Sequence, residues 1–296
     1  MLKHKKFLKN IISYYEPYYN YKNYRNVIIA HEEKLGIREN NYELWISSLI
    51  KFFKNKYLIE KPKILDFGSG TGEFVVWMNK IGADAKGIEM HEKLHSLSKT
   101  LAIDNNLSDE IFVLNKKKKL PFKDNEFDFV TLFSVLEHID DENFDWIFDE
   151  IKRVCKYCIY VLVPNPIKPL DDHTGLAFIN YFPRELVLIY LKLRSKKHSY
   201  FLSDSGEWDV FYRFLPKIKK QFKKKKLTLE YPPEEIFFPP TSKCPPIDKI
   251  GKQYHLFGKN IFLGVSFFRN FFVKKLGVDK YFFYPYLNFY MNVKND

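Results

Sequence analysis

The sequence predicts an α/β fold in which helices cover both faces of a mostly parallel sheet. From Lys63 onward, short apolar segments rich in β-branched and aromatic residues alternate with helical segments. Such alternation requires crossover connections, and these join parallel strands. The first five predicted strands are 63–67, 85–89, 110–114, 127–133 and 157–163.

Helices are predicted on either side of these strands. Pro183 is placed near the first turn of a helix at 182–194, a position that tolerates proline. The other helices are predicted at 72–82, 91–103 and 141–154, and two late strands at 226–232 and 260–269. In the helical N-terminal part, a 3–4 residue spacing predicts a buried stripe. Its members are Leu44, Trp45, Ser48, Leu49, Phe52 and Phe53.

The composition is typical of a globular protein, and the charge is strongly basic. Of 296 residues, 46% are hydrophobic and 28% charged, and the formal net charge is +12. The lysines occur in scattered clusters, which favours solvated surface. Contact with an anionic partner is the alternative, with lipid headgroups, phosphorylated glycan carriers and RNA as candidates. Cys155, Cys158 and Cys244 form no disulfide framework, so packed free thiols and a cytoplasmic location are expected.

A glycine-rich turn follows the first predicted strand, in the segment ILDFGSGTGEF at 64–74. Gly68, Gly70 and Gly72 would let the backbone approach a nucleoside-bearing cofactor closely. Asp66 precedes the turn, and Glu89 closes the second strand, where an acid can take ribose hydroxyls. The order G-x-G-x-G differs from the G-x-G-x-x-G of dinucleotide sites.

Together with two later segments, this turn resembles the class I S-adenosylmethionine-dependent methyltransferases. LPFKDNEFDFVTLFSVLEHIDD at 120–141 is similar to the region of their fourth strand, and 149–166 is similar to the helix and strand that follow. The resemblance covers residues 60–165 well and 226–269 loosely. It implies a Rossmann-like methyltransferase fold with seven strands, of which a late one is antiparallel, and S-adenosyl-L-methionine as the cofactor.

The resemblance also implies site residues and a division of the chain. The implied cofactor-binding residues are Asp66, Gly68, Ser69, Gly70, Thr71, Gly72, Phe74, Glu89, Met90, Asn115, Lys116, Phe133 and Ser134. Many relatives have an acid where Lys116 stands, so the contact to the adenine amino group must come from the backbone or be absent. The implied parts are an N-terminal helical extension (1–60), a cofactor-binding core (61–165), a substrate lid (166–225), and late strands with an aromatic-rich tail (226–296).

Three residues are candidates for activating the acceptor. Glu137, His138 and His173 are predicted to be catalytic, because a histidine near neutral pKa can remove a hydroxyl proton. A structural hydrogen bond for His138 and plain surface exposure for His173 are the alternatives. The three also resemble part of the metal centre of RNA 3′-end 2′-O-methyltransferases, but Ser134 replaces the first glutamate there. A divalent metal is therefore considered, and no metal site is predicted.

The predicted function is methyl transfer to a hydroxyl of a sugar or another small hydroxylated metabolite. The segment after the fifth strand, with VPNP at 163–166, also looks like the lid of small-molecule and glycan O-methyltransferases. A quinone-precursor or lipid-linked acceptor with peripheral membrane contact is the second alternative, and RNA is the third. An inactive cofactor-binding partner subunit is the non-enzymatic alternative. The aromatic tail is expected to extend the substrate pocket or to pack against the N-terminal helices.

Overall fold

The computed structural model contains one sheet and eight helices of eight or more residues within the described part of the chain. That part comprises residues 1–15, 21–37, 42–168, 171, 173, 176, 178–194, 209–236 and 271–293. The strands are β1 (Lys63–Phe67), β2 (Asp84–Glu89), β3 (Phe112–Leu114), β4 (Phe127–Phe133), β5 (Cys155–Pro164), β6 (Leu229–Glu230) and β7 (Tyr286–Asn292). The helices are α1 (Lys5–Tyr15), α2 (Tyr21–Lys34), α3 (Tyr42–Tyr57), α4 (Glu73–Lys80), α5 (Glu92–Asp104), α6 (Asp141–Val154), α7 (Arg184–Arg194) and α8 (Leu215–Lys224).

The described strands form a seven-stranded sheet in the order β3-β2-β1-β4-β5-β7-β6. Strands β1 to β5 are paired in parallel, and β7 runs antiparallel to both β5 and β6. The predicted fold class, with one antiparallel late strand, is confirmed. Because β2 and β4 lie on opposite sides of β1, the strand order reverses at β1, and ligands bind at the carboxyl edge of a sheet at such a point.

Helix α6 illustrates how local sequence defines these elements. Its N-cap is Asp140, whose Oδ1 accepts a hydrogen bond of 2.6 Å from the Asn143 amide. Acidic residues occupy its first turn and basic residues its last turn, which complements the helix dipole. Phe144, Phe148 and Ile151 are buried on one face. The sequence therefore predicted both ends of α6 correctly.

Two hydrophobic cores lie on opposite faces of the sheet, as a doubly covered sheet requires. Helices α1, α3, α4 and α5 contribute to one core, where Phe53 stacks on Phe129 of β4 at 4.9 Å between ring centroids. Helices α6 and α8 contribute to the other core, where Phe148 contacts Phe222 edge to face at 4.7 Å. The N-terminal extension is thus a layer of the domain.

Several sequence predictions about the C-terminal part differ from the structure. The predicted strand at 226–232 is reduced to the two residues of β6, and the one at 260–269 lies outside the described residues. Strand β7 occupies residues that were predicted to be an aromatic tail. Its Tyr290 contacts Phe52 and Phe53 of α3, whereas Phe289 packs on Phe222 of α8. Packing thus accounts for these β7 aromatics, and none of them lines the cleft described below.

The predicted buried stripe of α3 is also wrong at one residue. Trp45, Leu49 and Phe53 are buried as expected, but Leu44 is 63% exposed. Ile46 and Ile50 are buried as well, so the buried face is centred one residue further along the helix. None of the described helices is both long enough and apolar enough to span a membrane.

Candidate functional site

The glycine-rich turn connects the end of β1 to the start of α4 at the carboxyl edge of the sheet. The amides of Gly68 and Ser69 both donate to the Ile88 carbonyl of β2, at 2.9 and 3.0 Å. Gly68, Gly70 and Gly72 have φ values of +72°, +52° and +88°, a region that glycine adopts without strain. The turn therefore needs glycine at each of these positions.

The space around the three glycines differs. A Cβ at Gly72 would lie 2.6 Å from the Phe112 ring, and one at Gly68 would lie 2.7 Å from Val135. These two glycines are required by packing within the protein. A Cβ at Gly70 would meet nothing within 4 Å, so Gly70 faces open space. An open turn of glycine residues is where a ligand is expected to approach the backbone.

Glu89, the predicted ribose acid, ends β2 directly beside this turn. Its Oε2 accepts from the Gly70 amide at 2.8 Å, and its Oε1 accepts from the amides of Met90 and His91 at 2.7 and 3.0 Å. The carboxylate is 6% exposed. These bonds hold Glu89 in one orientation against the glycine turn.

The residues predicted beside the adenine lie at the ends of β2 and β3. Met90 is 55% exposed at the edge of the turn. The side-chain amide of Asn115 donates to the carbonyls of Lys117 and Lys119, so Asn115 shapes the loop after β3. Lys116 is exposed and pairs with Glu92 at 2.7 Å. Lys116, which stands where many relatives have an acid, therefore forms an ion pair with Glu92 at the start of α5.

An aromatic cluster connects the predicted cofactor residues to α3. Phe74 of α4 and Phe133 at the end of β4 have ring centroids 4.7 Å apart, and Trp45 contacts both rings edge to face. Ser134 follows Phe133 with a φ of +55° and donates its amide to the Leu162 carbonyl of β5. Trp45 is buried as the sequence predicts, but its contacts with Phe74 and Phe133 were not predicted.

A buried polar network that was not predicted from the sequence lies behind the turn. Glu73 is the first residue of α4, and its carboxylate accepts from Thr71 Oγ1 and contacts Nδ1 of His31, both at 2.6 Å. Burial raises the pKa of Glu73, but Lys34 and His31 outweigh burial and lower it to about 2. Helix α2 is therefore joined to the start of α4 by the contact between His31 and Glu73. No sequence signal connects His31 to a residue so distant along the chain.

The three predicted catalytic residues come together at the same edge of the sheet. Glu137 and His138 lie in a 3-10 helix (Leu136–His138) after β4, and His173 lies beyond β5. Glu137 is 2% exposed, and its Oε1 lies 3.9 Å from Nε2 of His173. The rings of His138 and His173 meet edge to face at 5.3 Å. Since Val135 packs on Gly68, this cluster adjoins the glycine turn.

Each histidine of the cluster also faces an aspartate, and sequence reasoning assigned neither. Nδ1 of His173 lies 3.5 Å from Oδ1 of Asp171, which is 3% exposed. Nδ1 of His138 lies 3.5 Å from Oδ1 of Asp209. Burial lowers the pKa of His138, but Asp209 and Glu137 outweigh burial and raise it to about 9. This raised pKa favours the protonated form of His138 at neutral pH when no metal ion is bound.

The same cluster has the composition of a metal site. One ligand atom from each of Glu137, His138 and His173 lies within 4.8 Å of the others. Two imidazoles and a carboxylate suit zinc and other divalent first-row metals. Ligating histidines usually donate their other ring nitrogen to a carboxylate, as Asp171 and Asp209 would allow.

A surface cleft of about 680 Å³ opens next to the cluster. It lies between the N-terminus of α6 and the segments 180–184 and 210–214. Its wall joins the cluster directly, because the Phe211 amide donates to the Glu137 carbonyl at 2.6 Å and the Tyr212 ring lies 6.4 Å from that of His173. The cleft is large enough for a small-molecule acceptor.

The sheet order, the glycine turn, and the acid after β2 together define a class I S-adenosylmethionine-dependent methyltransferase domain. Residues 65–158 match a protein family described as a methyltransferase domain. S-adenosyl-L-methionine is the cofactor of this class.

Curated relatives match only this central part of the chain. A ubiquinone biosynthesis O-methyltransferase of Hydrogenovibrio crunogenus is 27% identical over 92 residues, covering 31% of this chain and 38% of that protein. A ubiquinone/menaquinone biosynthesis C-methyltransferase of Rickettsia typhi is 28% identical over 113 residues, covering 34% and 45%. The chain thus spans less than half the length of these relatives.

Among solved structures, the chain is similar to a putative sarcosine dimethylglycine methyltransferase from Galdieria sulphuraria. The TM-score is 0.48 and the sequence identity 15%, with 85% of each chain covered.

We expect cofactor affinity to depend on pH through Asp66 at the end of β1. Burial is the main cause that raises the pKa of Asp66 to about 7, with Glu89 and Glu73 adding to it. The cationic cofactor should bind the ionised carboxylate, so its affinity should rise roughly tenfold from pH 5.5 to pH 7, where its own amino group stays protonated. Calorimetric titration across this range measures the effect. Asp66→Asn should bind more weakly with a flat profile, and an unchanged slope in that variant would contradict the assignment.

Proposed function

We propose that this chain transfers a methyl group from S-adenosylmethionine to a hydroxyl of a small acceptor molecule. The observation that carries the proposal is the buried carboxylate of Glu137 beside two histidines that each face an aspartate. A hydroxyl must lose its proton as its oxygen attacks the methyl carbon. A base within an ordered polar cluster, adjoining the cofactor turn, meets that need.

The proposed cofactor site consists of the residues predicted from the sequence. Residues 66–74 with Glu89 would hold the methionine and ribose end, and Met90 with 115–116 would lie beside the adenine. Phe133 and Ser134 would close the pocket. When bound, the cofactor supplies a methyl group on a sulfonium. The open space at Gly70 and the amides that orient Glu89 support this assignment.

We assign the role of base to His173. With Nδ1 directed to Asp171, the ring is held with Nε2 toward Glu137, so a proton from the acceptor is accepted at Nε2. Asp171 orients the ring and stabilises the imidazolium that forms. The acceptor oxygen, losing its proton to His173, would then take the methyl group that the bound cofactor supplies, leaving the sulfur as a neutral thioether. Residues 166–225, which contain His173 and Tyr212, act as the substrate lid.

Two acceptor classes fit the proposal. A sugar hydroxyl is the first, because the segment after β5 resembles the lid of small-molecule and glycan O-methyltransferases. A hydroxylated quinone precursor is the second, and the names of the two curated relatives favour it. One of those relatives is a C-methyltransferase, so the atom that receives the methyl group has to be measured.

The acceptor is tested with a panel under one set of conditions. We expect a new methyl ether on one member of a set comprising a sugar pool, a catechol and a hydroxylated polyprenyl aromatic, identified by mass spectrometry and NMR. A methyl group on carbon would overturn the assignment of O-methylation. Cofactor binding without product on any member of this set, or on RNA tested beside it, would favour an inactive partner subunit. Failure to bind the cofactor would overturn the whole proposal.

Metal-assisted transfer is the second candidate, and the convergence of three ligand atoms in the cluster favours it. A divalent ion held by Glu137, His138 and His173 would lower the pKa of a bound hydroxyl. Chelation separates the two mechanisms. With His173 as base, we expect exhaustive EDTA treatment followed by gel filtration to change turnover less than twofold. Loss of turnover that zinc, manganese or magnesium restores, with cofactor affinity unchanged, would establish the metal mechanism instead.

A further inference from the structure

Helix α7 carries two separate apolar faces. Val187 and Leu191 are 2% and 5% exposed and form a small core with Ile179 and Val210. On the opposite side, a second set of apolar residues is 42–82% exposed, with a spacing of three, one and three residues that places them in one stripe. Its members are Leu186, Ile189, Tyr190 and Leu193.

The exposed stripe continues into the turn before the helix. Phe178, Tyr181 and Phe182 are 48%, 49% and 58% exposed. In the part of the chain that the structure describes, 17 large apolar side chains are exposed, and seven of them lie within 178–193. This concentration is more than scattered surface apolarity, and such patches mark interaction sites. We call residues 178–193 the lid patch.

The sequence of helix α7 and the residues that follow it is basic, which suits an anionic partner. The segment RELVLIYLKLRSKK at 184–197 has five basic residues and one acidic residue. Lys192 lies on the exposed side of the helix between apolar residues. A short helix with an exposed apolar stripe and flanking lysine and arginine is typical of segments that lie in the interface of an anionic bilayer. The net charge of +12 adds long-range attraction to such a surface.

We propose that the lid patch docks the protein on an anionic lipid bilayer, with Leu186, Ile189 and Leu193 entering the boundary between headgroups and acyl chains. The cleft continues from this surface, because Tyr181 and Phe182 belong to the lid patch and also line the cleft. An acceptor dissolved in the bilayer would therefore enter the cleft that adjoins the cluster without crossing water. This consequence rests on the proposed function, whereas the docking itself does not.

The docking is tested by sedimentation with lipid vesicles, without cofactor or acceptor. We expect the wild-type chain to bind vesicles of phosphatidylcholine with 30% phosphatidylglycerol, and to bind phosphatidylcholine alone at least tenfold more weakly. The double variant Ile189→Glu/Leu193→Glu should bind the anionic vesicles at least about tenfold more weakly than the wild type does. The matched control Leu44→Glu/Ile103→Glu changes the net charge equally at exposed helix positions in α3 and α5. It should lose no more than twofold.

Each contrary outcome overturns the docking proposal. Equal loss in both double variants would show that only net charge matters. A lower thermal midpoint in the α7 variant would show that another segment of this chain covers the stripe. A change in its oligomeric state in sedimentation velocity, with no wild-type vesicle binding, would make the patch a subunit interface. Vesicle binding is measured without cofactor or acceptor, so a failure of docking is distinguishable from a failure of methyl transfer.

Discussion

Replacing Glu137 with glutamine should lower turnover about a hundred- to a thousandfold and leave cofactor affinity within twofold. The carboxylate is 2% exposed and lies next to both histidines of the cluster, so its charge acts on whichever group takes the acceptor proton. General acid–base groups contribute roughly 10²- to 10⁴-fold. Glutamine keeps the size of the side chain and removes its charge. Single-turnover kinetics with saturating cofactor, together with calorimetric titration of the cofactor, measure the two quantities separately.

Glu110→Gln is the matched control for this substitution. Glu110 is also the middle residue of a three-residue 3-10 helix (Asp109–Ile111), but it is exposed and lies before β3. Its turnover should equal that of the wild type. The assignment of Glu137 would be wrong if Glu137→Gln kept more than a third of wild-type turnover. A variant that unfolds is resolved by thermal denaturation, and His173→Gln, which is less buried, then tests the same cluster.

Replacing Gly70 with alanine should reduce cofactor affinity at least a hundredfold while the free protein stays folded. In the free protein the added methyl group meets nothing within 4 Å. The only intrinsic cost is then the strain of a residue with φ of +52°, about 1 kcal/mol. With the cofactor against the backbone, the same methyl group occupies space that the ligand needs. Calorimetric titration gives the affinity, and urea denaturation gives the free energy of unfolding.

Two other glycines serve as controls for the effect of strain. Gly82 has φ of +88° and open space around it, so Gly82→Ala should lower the free energy of unfolding slightly and leave cofactor affinity unchanged. Gly72 has the same φ, but its Cβ would clash with Phe112 and Ser98. Gly72→Ala should therefore lower the free energy of unfolding by roughly 1–3 kcal/mol more than Gly82→Ala. If Gly70→Ala binds the cofactor as well as Gly82→Ala does, the ligand does not approach this turn.

The sequence was most informative where structure is decided locally. The strand at 63–67, the strand at 127–133 and helix α6 have the predicted bounds, because alternation, capping and charge placement act over a few residues. The predictions at 85–89 and 157–163 differ from the observed strands by one or two residues at their ends. The glycine turn was recognised for the same reason, since its backbone conformation demands glycine at fixed spacing.

Predictions from the sequence were wrong where strands pair with segments that are distant along the chain. Strand β7 was predicted to be an aromatic tail, although Leu287, Phe289 and Met291 alternate with Asn288 and Asn292 as they would in a strand. Its place between β5 and β6 depends on which sheet edge remains unpaired, and that is a property of the assembled sheet. The two-residue β6 is too short to leave a sequence pattern.

The sequence by itself determined that this protein has a parallel α/β core with a nucleoside-binding turn, and it named Glu137, His138 and His173. Only the tertiary structure brought these three residues within reach of one another and added Asp171 and Asp209 beside the histidines. It also joined His31 to Glu73 behind the turn and exposed the lid patch on α7. The reason is physical: residue type and spacing define short-range conformation, whereas contacts between distant residues exist only after the cores on the two faces of the sheet have packed.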